Sequence, residues 1–356
     1  MRLLLVHTGG TLMMRGGPDT PLRPASYAED LLAQLPVLGQ IADVDSHVLS
    51  MIDSSDMVPS LWVELARVVH GALDRYDGVV VIHGTDTMAY TASALAFLLE
   101  DLDRPVILTG SQRPLDEVRT DARQNLIDAF QLATMAIPEV GIAFASKLLR
   151  GCRTSKVDAW GYDAFDSPMC APLAKLGVGV ELAPHILRPR ARRAFDPRLE
   201  TNVLAVRLFP GLDPTLLSRA LDTGLKGLVL KAFGAGNVPT MESSLLPVIE
   251  KATQLDIPVV IVSQCHRAHV ELGRYESGAR AQAAGAIGAA DMTDEAALAK
   301  LMVVLGRGEP SPSSKGPSKG PSKGRVQAAR EAFSRAAVGE MSEERRQSIL
   351  PPTGGG

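Results

Sequence analysis

Short apolar runs that close on a polar turn recur through the first half of this chain, and no other feature constrains its fold as much. They are Leu3 to Val6, Val79 to Ile82, Pro105 to Leu108 and Val140 to Ala145, with longer amphipathic stretches between them. Uninterrupted apolar runs of this length read as strands covered on both faces, which means parallel strands alternating with helices. Between them, Leu61, Leu65, Val68, Val69, Ala72 and Leu73 fall on the single stripe of a helix packed on a sheet, over Leu61 to Tyr76. Thr87 to Leu99 and Asp121 to Ala136 read the same way. The fold class is α/β, with a mainly parallel sheet flanked by helices.

The 356 residues are enough for two cored domains. The strand–helix alternation gives an N-terminal catalytic α/β domain over residues 1–184. His185 to Arg198 then turns irregular, with Pro189, Pro197 and five arginines, so 185–202 reads as a connection between domains. Runs at Val203 to Phe209, Gly227 to Ala232 and Ile257 to Ser263 build a smaller C-terminal α/β domain over 203–306. Its helices are expected near Leu212 to Asp222, Met241 to Leu255 and Thr293 to Leu305. Residues 307–325 carry a repeated Gly-Pro-Ser-Lys unit with nothing to bury, the composition of a disordered linker. A last helix at Val326 to Val338 and a tail complete the chain, as 326–356.

Several function classes are disfavoured. The net charge of −3 gives no general footprint for nucleic acid, and the lysines of the repeat read as a solvated spacer. No apolar stretch reaches the ~18 residues of a membrane span. The first strand begins at once, leaving no room for a secretory leader. Cys152, Cys170 and Cys265 lack C-x-x-C spacing, which argues against a disulfide framework or a zinc site. A cytoplasmic protein with no metal and no cofactor is expected. No G-x-G-x-x-G follows an early strand, so dinucleotide binding ranks last.

Four polar clusters carry the chemistry: Thr8-Gly9-Gly10-Thr11, Asp53-Ser54-Ser55-Asp56, His83-Gly84-Thr85-Asp86-Thr87 and Arg153-Thr154-Ser155-Lys156. Three sit at or just beyond the end of an apolar run, where ligands bind in open α/β sheets, so they should converge. A threonine attacks only when its proton is removed, and Thr11 follows two glycines whose bare backbone would let amides approach an oxyanion. Thr85 beside Asp86 is a second hydroxyl next to a carboxylate. Lys156 is a base only when desolvated, which a paired Asp86 opposes, so a proton could pass through Thr85 within a coupled site. Each cluster has a plainer reading: a tight turn for Gly9-Gly10, a helix cap for Asp86 and Asp53, a surface position for Lys156. Their joint occurrence favours hydroxyl-nucleophile chemistry on a small polar substrate.

The stretches TGGTL at Thr8, MIDSSDM at Met51, HGTDTMAYTAS at His83, TGSQRP at Thr109, LRGCRTSK at Leu149, GAGNVP at Gly234 and AADMT at Ala289 resemble the bacterial-type L-asparaginases, closest to the cytoplasmic type I group. The resemblance covers residues 1–306 and resumes weakly near Ala329 to Ser342. It implies a two-domain enzyme that hydrolyses L-asparagine to L-aspartate and ammonia through a covalent acyl-threonine intermediate, with weak action on glutamine possible. By motif position Thr11 is the primary nucleophile, and Thr85, Asp86 and Lys156 form the second constellation. Ser54 and Ser55 hold the α-carboxylate, Asp86 the α-ammonium, Ser111 lies near the side-chain amide, and Gly84 also binds substrate. Family members act as dimers or tetramers with the site completed at a subunit contact, and Asn237 is expected near it.

The chain departs from that pattern. Residues 13–26 lack the tyrosine that many relatives carry after TGGT, and Tyr27 arrives late. Lys231 stands where a regulatory asparagine site, also involving Ser155 and Cys265, would have an arginine, and the two residues are not interchangeable. Two other classes stay open: an asparaginase-like subunit of a tRNA-dependent amidotransferase, which carries an extra domain ahead of TGGT where this chain has seven residues, and a non-catalytic amino-acid-binding protein on the same scaffold. Asparagine and glutamine differ by one methylene, worth about 1–3 kcal/mol in a pocket. Their ratio is therefore not legible.

Overall fold

A computed structural model describes residues 1–17, 20–24, 31–308 and 324–342. Strand β1 (Arg2–Gly9) leads to a hairpin of β2 (Met14–Gly17) and β3 (Thr20–Pro24), short helices α1 (Leu31–Gln34) and α2 (Leu38–Ile41), and β4 (Asp43–Ile52). Helix α3 (Pro59–Ala72), β5 (Gly78–Ile82), α4 (Met88–Leu98), β6 (Val106–Thr109), α5 (Ala122–Ala133) and β7 (Val140–Phe144) follow in alternation. β8 (Lys147–Arg150) returns antiparallel along β7. Next come a small antiparallel pair, β9 (Ser155–Lys156) with β10 (Phe165–Asp166), and then β11 (Ala174–Leu176) and β12 (Val180–Leu182).

The eight-stranded sheet has the order β12-β11-β8-β7-β6-β5-β1-β4. From β4 to β7 all pairs are parallel, whereas the β8–β11–β12 edge is antiparallel. Alternate side chains of the central strands feed two cores. Leu4, Val6, Val79 and Val81 join α3 and α4 on one face, while Leu3, Leu5, Val80 and Ile82 join α2 and α5 on the other.

No regular element spans 183–202. The C-terminal sheet is β13 (Val203–Arg207), β14 (Gly227–Ala232), β15 (Val259–Ser263) and β16 (Ile287–Gly288), all parallel in that order. Around it lie α6 (Pro214–Leu221), α7 (Leu246–Gln254), α8 (Glu276–Ala283) and α9 (Asp294–Gly308). A final helix, α10 (Arg325–Phe333), docks Ala329 and Phe333 into the core that α4 and α9 share. Among the described residues no helix is long and apolar enough to cross a membrane.

The structure differs from the sequence reading in instructive ways. Helix α4 has no solvent face: every residue but Tyr90 is buried, because the sheet covers one side and α9 of the second domain the other. The run at Val140 does not lead straight into the Arg153 cluster. Ala145 and Ser146 adopt left-handed conformations, φ 48 and 57, that turn the chain back into β8 first. The helix expected from Met241 begins at Leu246, with Pro247 in its first turn. The repeat falls largely on 309–323, outside the described residues, as do Tyr27 and the tail beyond Ser342.

Candidate active site

Strand order places the site. From β1 the chain crosses to β4 on one side, and after β5 it proceeds to β6 on the other, so the crossovers diverge between β1 and β5 and leave a crevice at the strands' carboxyl ends. The turns carrying Thr11, Thr85 and Ser111 all open there, with Ser54 following β4.

Missing side chains let these turns touch. Gly9 and Gly10 have φ of 108 and 91, which favours glycine. A Cβ on Gly9 would fall on the Ile52 carbonyl oxygen, and one on Gly10 on the backbone N and Cα of Gly84. Gly10 N donates to Ile52 O at 3.0 Å, and Thr8 Oγ1 to Ile82 O at 2.9 Å. A Cβ on Gly84 would lie 2.5 Å from Ser54 Oγ. Thr11 and Thr85 are thus each one residue beyond a pair of glycines in backbone contact. Thr11 starts a short 3₁₀ turn, is half-buried, and among the described residues its hydroxyl has no hydrogen-bond partner.

The second constellation assembles across the domain. After β8 the chain turns through Gly151–Arg153, packed on α4, and returns beside that helix as β9. The Lys156 ammonium there donates to Thr85 Oγ1 at 2.7 Å and to Asp86 Oδ1 at 2.7 Å. Lys156 is 17% exposed and Asp86 65%, so the pair sits with its amine inward and its carboxylate toward the opening. Thr85 Oγ1 donates onward to Gln112 Oε1 at 3.3 Å. Behind Lys156, the buried Arg153 grips both carboxylate oxygens of Asp291 at 3.0 and 2.8 Å and the Glu340 carbonyl at 2.7 Å. That guanidinium, with the Ser342 hydroxyl, holds the Asp291 carboxyl well below the usual carboxylate range despite its burial. One residue thereby joins both domains and the C-terminal segment, three positions before the amine.

The other expected residues fall as follows. Ser54 is buried against Gly84, and its carbonyl accepts from Thr87 Oγ1 at 2.8 Å. The Ser55 backbone N and hydroxyl both donate to Asp53, each at 2.8 Å, and keep that carboxyl low, so Asp53 caps the 54–56 turn rather than α3. Ser111 is buried and donates to Arg113 O within its own turn. Asn237 stands apart: its recorded partners, Phe233 and Ser277, belong to the C-terminal domain. Ser155, Lys231 and Cys265 line one cleft of about 480 Å³, where Lys231 pairs with Asp294 at 2.9 Å.

Two residues of the site were missed. Gln112, besides meeting Thr85, donates to Gly161 O at 3.0 Å and ties the loop after Lys156 to the crevice. His83 is fully buried and neutral, its pKa pushed down to about 4 by burial. Its Nδ1 meets Gly84 O at 2.7 Å, which can only accept, so Nε2 accepts from Thr91 Oγ1 at 2.8 Å, and Trp62 Nε1 completes the chain at 3.0 Å. Both residues lie inside quoted motifs, but nothing in their spacing reveals these partners.

An alcohol unpartnered among the described residues, at a glycine turn that packs on the turn of an amine–hydroxyl–carboxylate group, supplies the parts that covalent attack on a small polar substrate requires. Residues 2–188 match the family model "Asparaginase, N-terminal", and 202–314 match "Glutaminase/Asparaginase C-terminal domain". The chain belongs to the asparaginase family. It is similar to an L-asparaginase of Thermococcus kodakarensis, 39% identical over 310 residues, 86% of this chain and 93% of the relative. L-asparaginase 1 of Escherichia coli is 37% identical over 312 residues, 85% of this chain and 91% of the relative. The solved thermostable L-asparaginase from Thermococcus kodakarensis superposes with a TM-score of 0.84 at 36% identity, covering 96% of this chain and 99% of that one.

Proposed function

We propose that this chain hydrolyses L-asparagine to L-aspartate and ammonia through an ester on Thr11. The Thr11 oxygen attacks the side-chain carbonyl carbon, and its proton ends on the departing nitrogen, which leaves as ammonia. Water then adds to the ester, releases aspartate and restores the hydroxyl. With Gly10 N–H spent on Ile52 O, another backbone amide of the same turn stabilises the oxyanion. Lys156, Thr85 and Asp86 relay the proton; Ser54, and Ser55 once its hydroxyl leaves Asp53, receive the α-carboxylate, Asp86 the α-ammonium, with Gly84 against the substrate and Ser111 by the side-chain amide.

The observation that carries this reading is the pair of 2.7 Å contacts from Lys156 to Thr85 and Asp86, made where Gly10 packs on Gly84. An amino-acid-binding module would have no use for an amine bonded to a hydroxyl and a carboxylate at that turn. Ammonia released from L-asparagine, D-asparagine and L-glutamine by wild type and by Thr11→Ala tests it. Release confined to wild type with L-asparagine preferred supports the reading, and equal release by both overturns it.

Self-association as a dimer or tetramer accompanies this reading. Trp160 is 95% exposed in the loop that Gln112 ties to the crevice, and a large aromatic left bare beside a site suits a second copy covering it. Asn237, bonded within the C-terminal domain, would be offered to the crevice by such a copy. A cytoplasmic location is part of the same reading, supported by the likeness to a solved probable cytoplasmic L-asparaginase from Campylobacter jejuni.

A further inference from the structure

On the face of β9 opposite Lys156 lies a carboxyl that the reaction does not use. Successive side chains of a strand point to opposite sides, so Lys156 reaches Thr85 while Ser155 turns to α9, where its hydroxyl donates to Glu295 Oε2 at 3.0 Å. Both are buried, Ser155 at 6% and Glu295 at 8% exposure.

A buried carboxylate needs a cation or several donors to stay ionised. Among the described residues Ser155 is the side-chain donor that Glu295 has, while the nearby cation, Lys231 on β14, gives its hydrogen bond to Asp294. Asp294, next to Glu295 on α9, adds a like charge. From α4 the half-buried phenol of Tyr90 faces both carboxyls, and its pKa is pushed up to about 12 by burial and their charge. Burial first, then Asp294, raise the Glu295 carboxyl to about 7, with its own backbone N–H, Ser155 and Lys231 opposing. It therefore changes charge within the working range of most enzymes.

We propose that Glu295 is a positioning residue whose carboxyl, by gripping Ser155, sets how firmly β9 presents Lys156 to Thr85, so that the C-terminal domain controls the amine through one proton. This rests on the asparaginase reading above. Ionised Glu295 makes a charge-assisted bond that fixes the Ser155 hydroxyl as donor, whereas the neutral carboxyl makes a weaker one. Turnover is accordingly higher above the transition than below it.

The test is kcat and KM for L-asparagine from pH 5.5 to 8.5 in wild type, Glu295→Gln and Ser155→Ala. Wild-type kcat rises about fivefold through an inflection near 7, the low end of coupling between two sites. Both variants lose that inflection while KM changes little, because substrate is held by groups off β9. Wild-type ammonia release with a variant profile that superimposes on it overturns the role of Glu295, as does an inflection retained by Ser155→Ala. Absence of ammonia release from wild type overturns the asparaginase reading itself.

Discussion

Lys156 Nζ lies 2.7 Å from Thr85 Oγ1 although 71 residues separate them. The proximity is produced by the antiparallel β8, the turn at Gly151–Arg153 and the grip of Arg153 on Asp291, which together return the chain along α4. Replacing Lys156 by Met should lower kcat by about 10²–10⁴, the contribution of a positioned proton-transfer group. Since Asp86 is mostly exposed, losing its partner should cost at most about 1 kcal/mol of stability. Ammonia assays beside urea unfolding check both parts.

Gly84 and Ser54 form a second testable pair. Gly84→Ala drives a methyl onto the Ser54 side chain and should destabilise by about 1–3 kcal/mol, the usual cost of overpacking. Because the obstacle is a side chain, Ser54→Gly in the same molecule should recover most of that stability. Gly10→Ala meets the Gly84 backbone instead, and Ser54→Gly should leave its cost unchanged. A double-mutant cycle in urea decides between these patterns.

How much of this was legible is clearest strand by strand. β1, β5 and β6 are buried on both faces and so read as unbroken apolar runs. β4 does not, because it is an edge strand whose Asp43, Asp45, Ser46 and His47 leave neither side dry. The short β11 and β12 gave no periodicity to read. The site clusters stood out because glycine and hydroxyl residues follow those apolar runs, yet His83, Gln112 and Glu295 act through Thr91, Thr85 and Ser155 across the fold. Spacing along one chain cannot announce such pairings.

Stability should depend on pH in opposing ways. His83 and His7 are neutral when folded, with pKa lowered from 6.5 to about 4 by burial. Below 6.5 the unfolded chain binds these protons and the folded one does not, so stability falls as pH drops from 6.5 to 4. Glu295, raised from 4.5 to about 7, does the reverse: its contribution is full below 4.5 and lost as pH rises through 7. Removing it with Glu295→Gln should therefore steepen the acid-side fall between 6.5 and 4.5, read as urea midpoints at half-unit steps. Parallel curves for the two proteins would contradict this.

The C-terminal segment should be a structural clasp. Glu340 is fully buried, pairs with Lys300 and accepts from the Ala337 and Val338 backbone N–H groups. Lys300→Met strands that carboxylate and should cost about 3–5 kcal/mol. Pairing Lys300→Met with Glu340→Gln should return part of it, as measured by thermal melting.

The most direct measurement is mass analysis of the Thr11 peptide after a reaction with L-asparagine is stopped in acid. The account predicts a peptide heavier by one aspartyl group, esterified at Thr11, that vanishes in Thr11→Ala. Full turnover with an unmodified Thr11 peptide at every quench time, or an adduct carried by Thr85 instead, would contradict it.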